Sequence, residues 1–518
     1  MPRTSFFNRR KMKTKKPEQQ NQIKTGIELG TELKENLNNI KTLLDKPNDL
    51  VIRETSLGGT DYKCAIVYLS GLVDQNLVNN NILKVIQSNK SEIDSSRIDE
   101  VFQEIIAITD IKKGNKFDEV IYSLLSGSTL FYLDGMDTVL ILATSGREER
   151  SIEEPQSEAL IRGPREGFVE SVQTNIALIR QDIKNPNLRF KSHDVGKISK
   201  RTIVVSYIDG IVNPIILQEV NRRLKSIDLD VVSESGFVEQ WIEDSFLSPF
   251  PQMINTERPD RVSSALLQGK VGILVDGTPF ALIAPITYSE TLKSLEDYYE
   301  RWIVGTLIRL LRYVGTFIAL FLPAIYIALV SYHQGLIPTQ LAFSIATTRE
   351  GVPFPSFVEA MLMIITMEIL QEAGARLPKN LGQTIGIVGG LVIGESAVSA
   401  NIVSPIMVIV VALTAISSFT NPSYSAGIGF RMLRFFFMIA AAIFGLYGII
   451  LAYIMLNIHI VNLKSFGIPY STPFAPALLK DWKDSAIRAP ITMLEKQPTY
   501  MKIEDKKKKS TGEEKKQT

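Results

Sequence analysis

The residues best placed to do chemistry in this chain are carboxylates set in apolar sequence: Glu359, Glu368 and Glu372 in the stretch 357–373, and Glu395 in the stretch 385–400. A carboxyl group in or near hydrocarbon is costly, so it marks a helix interface, a water-filled path or an ion site. Glu368 and Glu372 are one helical turn apart, and steps of three or four residues back from Glu368 place Ile365, Met361 and Val358 on the same face. Repeated around a ring of subunits, that stripe would give a cation-attracting carboxylate collar beside a hydrophobic constriction. The same residues permit a plainer arrangement, in which Glu372 pairs with Arg376 four residues on and the acids sit at a helix interface. Glu359 falls about half a turn from Glu368 and belongs to another environment.

Other chemistries lack the residues to carry them. His193, His333 and His459 are scattered and Cys64 is alone, so no internal disulfide is expected and no zinc-ligand spacing exists. Gly71 and Gly210 stand outside any phosphate-cradling pattern. No nucleophile elbow or metalloprotease motif occurs, so the sequence names no catalytic residue, metal ligand or cofactor and disfavours an enzyme. A net charge of +2 gives no general nucleic-acid surface; the basic excess is confined to the two ends, which read as disordered.

The elements that would position the acids are apolar helices. Residues 313–332, 402–419 and 435–461 are uncharged and of membrane-crossing length; 357–373 and 385–400 are shorter and acidic, which suits helices inside an oligomer or around water. Gly382, Gly386, Gly390 and Gly394 recur every four residues, placing small residues along one helix face where backbones can approach closely, and Glu395 beside them suits a hydrogen bond between helices. Arg309 and Arg312, Arg376 and Lys379, and Arg431 and Arg434 all fit one side if five segments cross, but the Lys506–Lys509 run then falls on the other. The parity stays open between four and five spans.

About three hundred residues of soluble character precede these spans with no export signal, which predicts a cytoplasmic module. That module repeats itself. Asp118 to Gly127 with Leu133-Asp134-Gly135 matches Asp260 to Gly269 with Val275-Asp276-Gly277, and Ala65 to Gly71 resembles Val204 to Gly210. Each copy predicts a strand, a helix, a second helix ending in Leu-Leu-x-Gly and a hairpin turned at Asp-Gly. The expected fold is therefore a duplicated, two-lobed α/β module on an all-α, multi-span membrane domain. Its divisions are a basic tail 1–48, a first lobe 49–150, a charged linker with the second lobe 151–295, the membrane domain 296–462 and a C-terminal segment 463–518. The charged stretch from Ser145 through Phe168 is broken by Pro155 and Pro164, and reads either as a solvated linker or as a subunit contact through Arg162 and Arg165.

That charged stretch closely resembles a signature of the A subunit of bacterial spore germinant receptors, the GerA family. So do Ser248-Pro-Phe-Pro-Gln252, Asn255-Thr-Glu-Arg-Pro-Asp260, Asp297-Tyr-Tyr-Glu-Arg-Trp302, Arg349-Glu-Gly-Val-Pro-Phe-Pro355, Glu372-Ala-Gly-Ala-Arg-Leu-Pro378 and Gly382-Gln-Thr-Ile-Gly386. The resemblance implies a spore inner-membrane receptor working with a transporter-like B subunit and a lipoprotein C subunit. It further implies a homo-oligomeric A subunit acting as a nutrient-gated cation channel, with nutrient recognition mainly in the B subunit.

Overall fold

A computed structural model of the chain describes residues 28–501 apart from 46, 57–61, 89–109, 147–153, 156, 159, 377–389, 391 and 495–496. The duplication is carried into the fold. Strands β1 (Leu50–Ser56), β2 (Lys63–Leu69), β3 (Ile111–Gly114), β4 (Thr129–Leu133) and β5 (Val139–Leu142) form one sheet in the order β1-β2-β4-β5-β3. Strands β6 (Leu188–Val195), β7 (Arg201–Ile208), β8 (Ile254–Thr256), β9 (Val271–Val275) and β10 (Ala281–Ala284) form a second in the equivalent order, β6-β7-β9-β10-β8. Both central hairpins turn at the expected Asp-Gly, with Gly135 at φ 89° and Gly277 at φ 81°.

The Leu-Leu-x-Gly motif ends a helix in each copy, Phe117–Leu125 and Pro259–Leu267. Glycine is required there twice over: Gly127 and Gly269 are at φ 92° and 91°, and a Cβ would strike the carbonyl of Leu72 or of Ile211. Each helix buries its apolar stripe, Val120, Ile121 and Leu124 in one and Val262 and Leu266 in the other.

Backbone contacts divide the chain into two compact units. One comprises 1–148 with 183–189 and 208–210; the other comprises 149–182, 190–207 and 211–518. The second sheet thus belongs with the helical region, and the C-terminal segment helps hold it there. Phe466 and Met501 are buried in the core around β7, β9 and β10, and the Ser465 hydroxyl accepts from Ile286 N at 3.1 Å and donates to Gln252 O at 2.7 Å.

Among the described residues, two helices are long and apolar enough to cross a membrane, Trp302–Ser331 and Tyr424–Asn462. The second departs from the expected single tilted span over 435–461. Gly445 has φ 60° and ψ −139°, so 424–444 and 446–462 are separate helical limbs. They run side by side: the Phe321 ring lies 4.7 Å from that of Phe437 and 5.9 Å from that of Tyr453, and a Cβ on Gly448 would collide with the Ala440 carbonyl. The Phe250 ring likewise lies 5.8 Å from Phe430 and 6.2 Å from His459, so the chain leaves and returns at the same end. The Tyr332 hydroxyl donates to Ala442 O at 2.5 Å and to Ile443 O at 3.4 Å, carbonyls that the break frees.

The stretch 402–419 also differs from the expected span. Only Pro405–Ser418 is helical, about 21 Å at 1.5 Å per residue and short of a roughly 30 Å hydrocarbon core. Ser404 caps it, accepting from Met407 N at 3.3 Å, and Pro405 at its first position fixes where it starts.

Candidate functional site, a lobe-to-helix junction and an acidic groove

Three of the motifs singled out in sequence meet in space. Arg258 donates to the carbonyls of Glu158 and Pro164 and forms a fork with Asp260, while the Glu158 carboxylate accepts from Thr256 and Arg261. The Tyr299 hydroxyl closes the group by donating to Asp260 at 2.6 Å. The charged stretch, in its described residues, is therefore bonded to the second lobe.

Immediately beyond Tyr299 the chain enters the Trp302–Ser331 helix through a buried ion cluster. Asp297 accepts from Arg309 Nε at 3.0 Å and from Arg312 Nη1 at 2.7 Å, with all three side chains nearly or wholly buried. Asp484 adds a second carboxylate from the C-terminal segment, accepting from Arg309 at 3.2 Å, Lys293 at 3.1 Å and the Tyr298 hydroxyl at 2.7 Å. Burial pushes the Asp484 carboxyl up, but the charges of Lys293 and Arg309 outweigh it and hold it below the usual carboxylate range. Burial pushes the Tyr298 phenol up to about 12. The cluster clamps the base of the helix to the lobe.

Along that helix Pro323 cannot donate to Ala319 O, and Arg434 fills the place, its Nε donating to that carbonyl at 2.7 Å. The same guanidinium reaches Glu368 at 3.3 Å, and Arg431 reaches the other Glu368 oxygen at 3.3 Å. Glu368 thus stands between two arginines of the neighbouring limb. Glu372 pairs with Arg376 at 2.6 Å on the exposed surface. Ile365, Ile369, Ile428 and Met432 complete an open, mainly apolar groove of roughly 600 Å³ beside these acids.

The Ser356–Arg376 helix is two-faced. Val358, Leu362, Ile365 and Ile369 are exposed, Met361 is half-buried, and Glu359, Ala360, Met363 and Ile364 are buried. Glu359 secures the buried face by accepting from both Ser404 N and Ser404 Oγ at 2.5 Å, with Arg349 at 3.4 Å. Its position one half-turn from Glu368 was readable; its partner, the cap of a distant helix, was not.

Residues 38–500 match the family model described as Bacillus/Clostridium GerA spore germination protein. Spore germination protein GerLA of Bacillus cereus is 50% identical over 92% of this chain and 97% of its own length. Spore germination protein KA of Bacillus subtilis is 44% identical over 92% of this chain and 87% of its own. The chain belongs to the GerA family. A crystal structure of the N-terminal domain of the A subunit of the Bacillus megaterium spore germinant receptor GerK3 is 35% identical, covering 51% of this chain and 98% of that one with a TM-score of 0.41.

The other sequence-predicted residues of this GerA-family chain are dispersed. Gly394 is buried with Val408 beside it, Gly390 is exposed with no described residue within 4 Å of where a Cβ would stand, and Glu395 is exposed. Gly382, Gly386, Lys379 and the basic ends 1–27 and 502–518 lie outside the described residues. Arg162 is exposed and 3.9 Å from Glu300, and Arg165 is exposed. Sequence reasoning missed Asp297 and Asp484, since Arg309 and Arg312 read as charges flanking a span; Asp297 lies 12 and 15 residues before the two arginines, on a separate short helix, so helical spacing gave no signal of the pairing.

Proposed function

We propose that this chain is the A subunit of a spore nutrient-germinant receptor, oligomerising in the spore inner membrane as a nutrient-gated cation channel. The lobes, 49–295, face the cytoplasm, the helices of 296–462 cross in several passes, and a transporter-like B subunit and a lipoprotein C subunit complete the complex. The observation that carries the channel reading is the exposed face of the Ser356–Arg376 helix, where Val358, Ile365 and Ile369 run toward Glu372. In a ring, Ile365 with Val358 and Met361 forms the constriction and Glu372 with Glu368 the collar; the Glu372–Arg376 pair is exposed and worth only about 0.3–0.5 kcal/mol, so it yields readily to an arriving cation. Arg162 and Arg165 supply subunit contacts, and Gly382, Gly386, Gly390 and Gly394 let membrane helices pack closely.

The Arg431–Glu368–Arg434 arrangement favours a second reading, a non-conducting scaffold in which this helix is held by ion pairs. Ion flux through reconstituted complex separates the two. For a channel, Ile365→Ala leaks without nutrient and Glu372→Gln lowers nutrient-driven cation flux at unchanged protein level. Absence of flux from wild-type complex under germinating nutrients overturns the channel and leaves the scaffold.

A further inference from the structure

The second lobe carries an apolar turn for which the ion clusters have no use. Ser248 N donates to Ser245 O at 3.3 Å, closing a β-turn whose two central residues are Phe246 and Leu247, 82% and 80% exposed. Such positions ordinarily hold glycine, proline or small polar residues, because the tip faces water. The turn is braced from beneath. Gln252, wholly buried, accepts from Asp244 N at 2.7 Å and Ser245 N at 2.9 Å and donates to Ser245 O at 2.7 Å. Asp244 accepts in turn from Phe466 N at 2.6 Å and Arg223 at 2.7 Å. A rigid support therefore holds two large apolar side chains outward, where collapse onto the lobe would otherwise hide them.

Its location decides the partner. The next residue, Ser248, bonds His459 Nε2 at 2.9 Å, and the Pro249 carbonyl packs against Gly429, so the turn lies level with the ends of both limbs of the broken helix. Trp241 and Phe237 are also exposed, on the preceding helix, and exposed Lys464 follows the limb's end. Apolar tips at the level of helix ends, with a lysine just past the end of one limb, match the headgroup and upper acyl region of a bilayer, where aromatic rings and a snorkelling ammonium are both satisfied.

We infer that the Phe246–Leu247 turn inserts into the lipid surface and anchors the second lobe flat against the membrane. This rests on the proposed membrane-spanning role of the helices, and it adds a lipid contact that fixes how the lobe meets the bilayer. The test uses full-length protein in phosphatidylglycerol-containing nanodiscs, with Cys64→Ser as background and a polarity-sensitive fluorophore on Phe246→Cys or Leu247→Cys. Nitroxide is placed on lipids either near the headgroup or deep in the acyl chain. Two references accompany them: Phe317→Cys, exposed midway along the Trp302–Ser331 helix, and Ile198→Cys, exposed beside the Asp276-Gly277 end of the second sheet.

The turn probes should lose most of their emission to the shallow nitroxide while the Ile198 probe stays bright. Turn probes that ignore the nitroxides, whether bathed in water or covered by another protein subunit, overturn the anchor. The Phe317 probe separates the premises: if the deep nitroxide quenches it and the turn stays bright, only the anchor fails; if it too stays bright, the spanning role fails with it.

Discussion

Asp297 illustrates how position decides the worth of an ion pair. It lies wholly buried against two arginines, so removing it leaves guanidinium charge stranded away from water, a loss of about 3–5 kcal/mol in comparable pairs. Glu372 and Arg376 approach more closely, yet in solvent, where such a pair contributes less than about 0.5 kcal/mol. Asp297→Ala should therefore lower the thermal midpoint of detergent-solubilised protein sharply and reduce its amount in membranes, whereas Glu372→Gln leaves both near wild type. Arg312→Met in the Asp297→Ala background should recover part of the loss, because Arg309 keeps Asp484. Equal stability of Asp297→Ala and wild type would show that water reaches the cluster.

At the scale of elements, one glycine converts an expected span into a hairpin. The conformation at Gly445 is available essentially to glycine alone, and a Cβ there would also meet His333. Gly445→Ala should cost about 1–3 kcal/mol through backbone strain, read as a lower unfolding midpoint. Gly427→Ala, helical and with open space around it, serves as the opposite case and should be neutral or gain up to about 1 kcal/mol through helix propensity. If both substitutions behave alike, the limbs are joined by a straight helix. The duplicated strands and helices were legible because their Asp-Gly turns and Leu-Leu-x-Gly ends repeat in register. Strands β1, β3, β6 and β8 were not, since β8 is three residues long and β1 places the adjacent charges Arg53 and Glu54 on opposite faces, without the alternation that marks a half-buried strand.

For the whole molecule, the glycine face separates contacts within a chain from contacts between chains. A leucine at Gly394 would press on Val408 of the Pro405–Ser418 helix, an overpacking that costs about 1–3 kcal/mol. A leucine at Gly390 meets no neighbour among the described residues, so an effect on assembly would report a neighbouring subunit. Gly394→Leu should lower the thermal midpoint, and Gly390→Leu should keep it while shifting light-scattering mass toward smaller assemblies. Unchanged mass for Gly390→Leu would remove this face from the oligomer contacts.

The sequence by itself determined the family, the duplication and the acidic face of the 357–373 stretch, because each rests on residues a few positions apart, where turn chemistry and helical period act locally. Only the tertiary structure decided where the charges go. Arg309 and Arg312 serve a buried cluster with Asp297 and Asp484, Arg434 fills the vacancy that Pro323 leaves at Ala319, and Glu359 holds the cap at Ser404. Most of these partners lie tens to hundreds of residues apart. Burial sets the strength of such pairs, and burial is a property of the assembled fold that neither spacing nor composition carries.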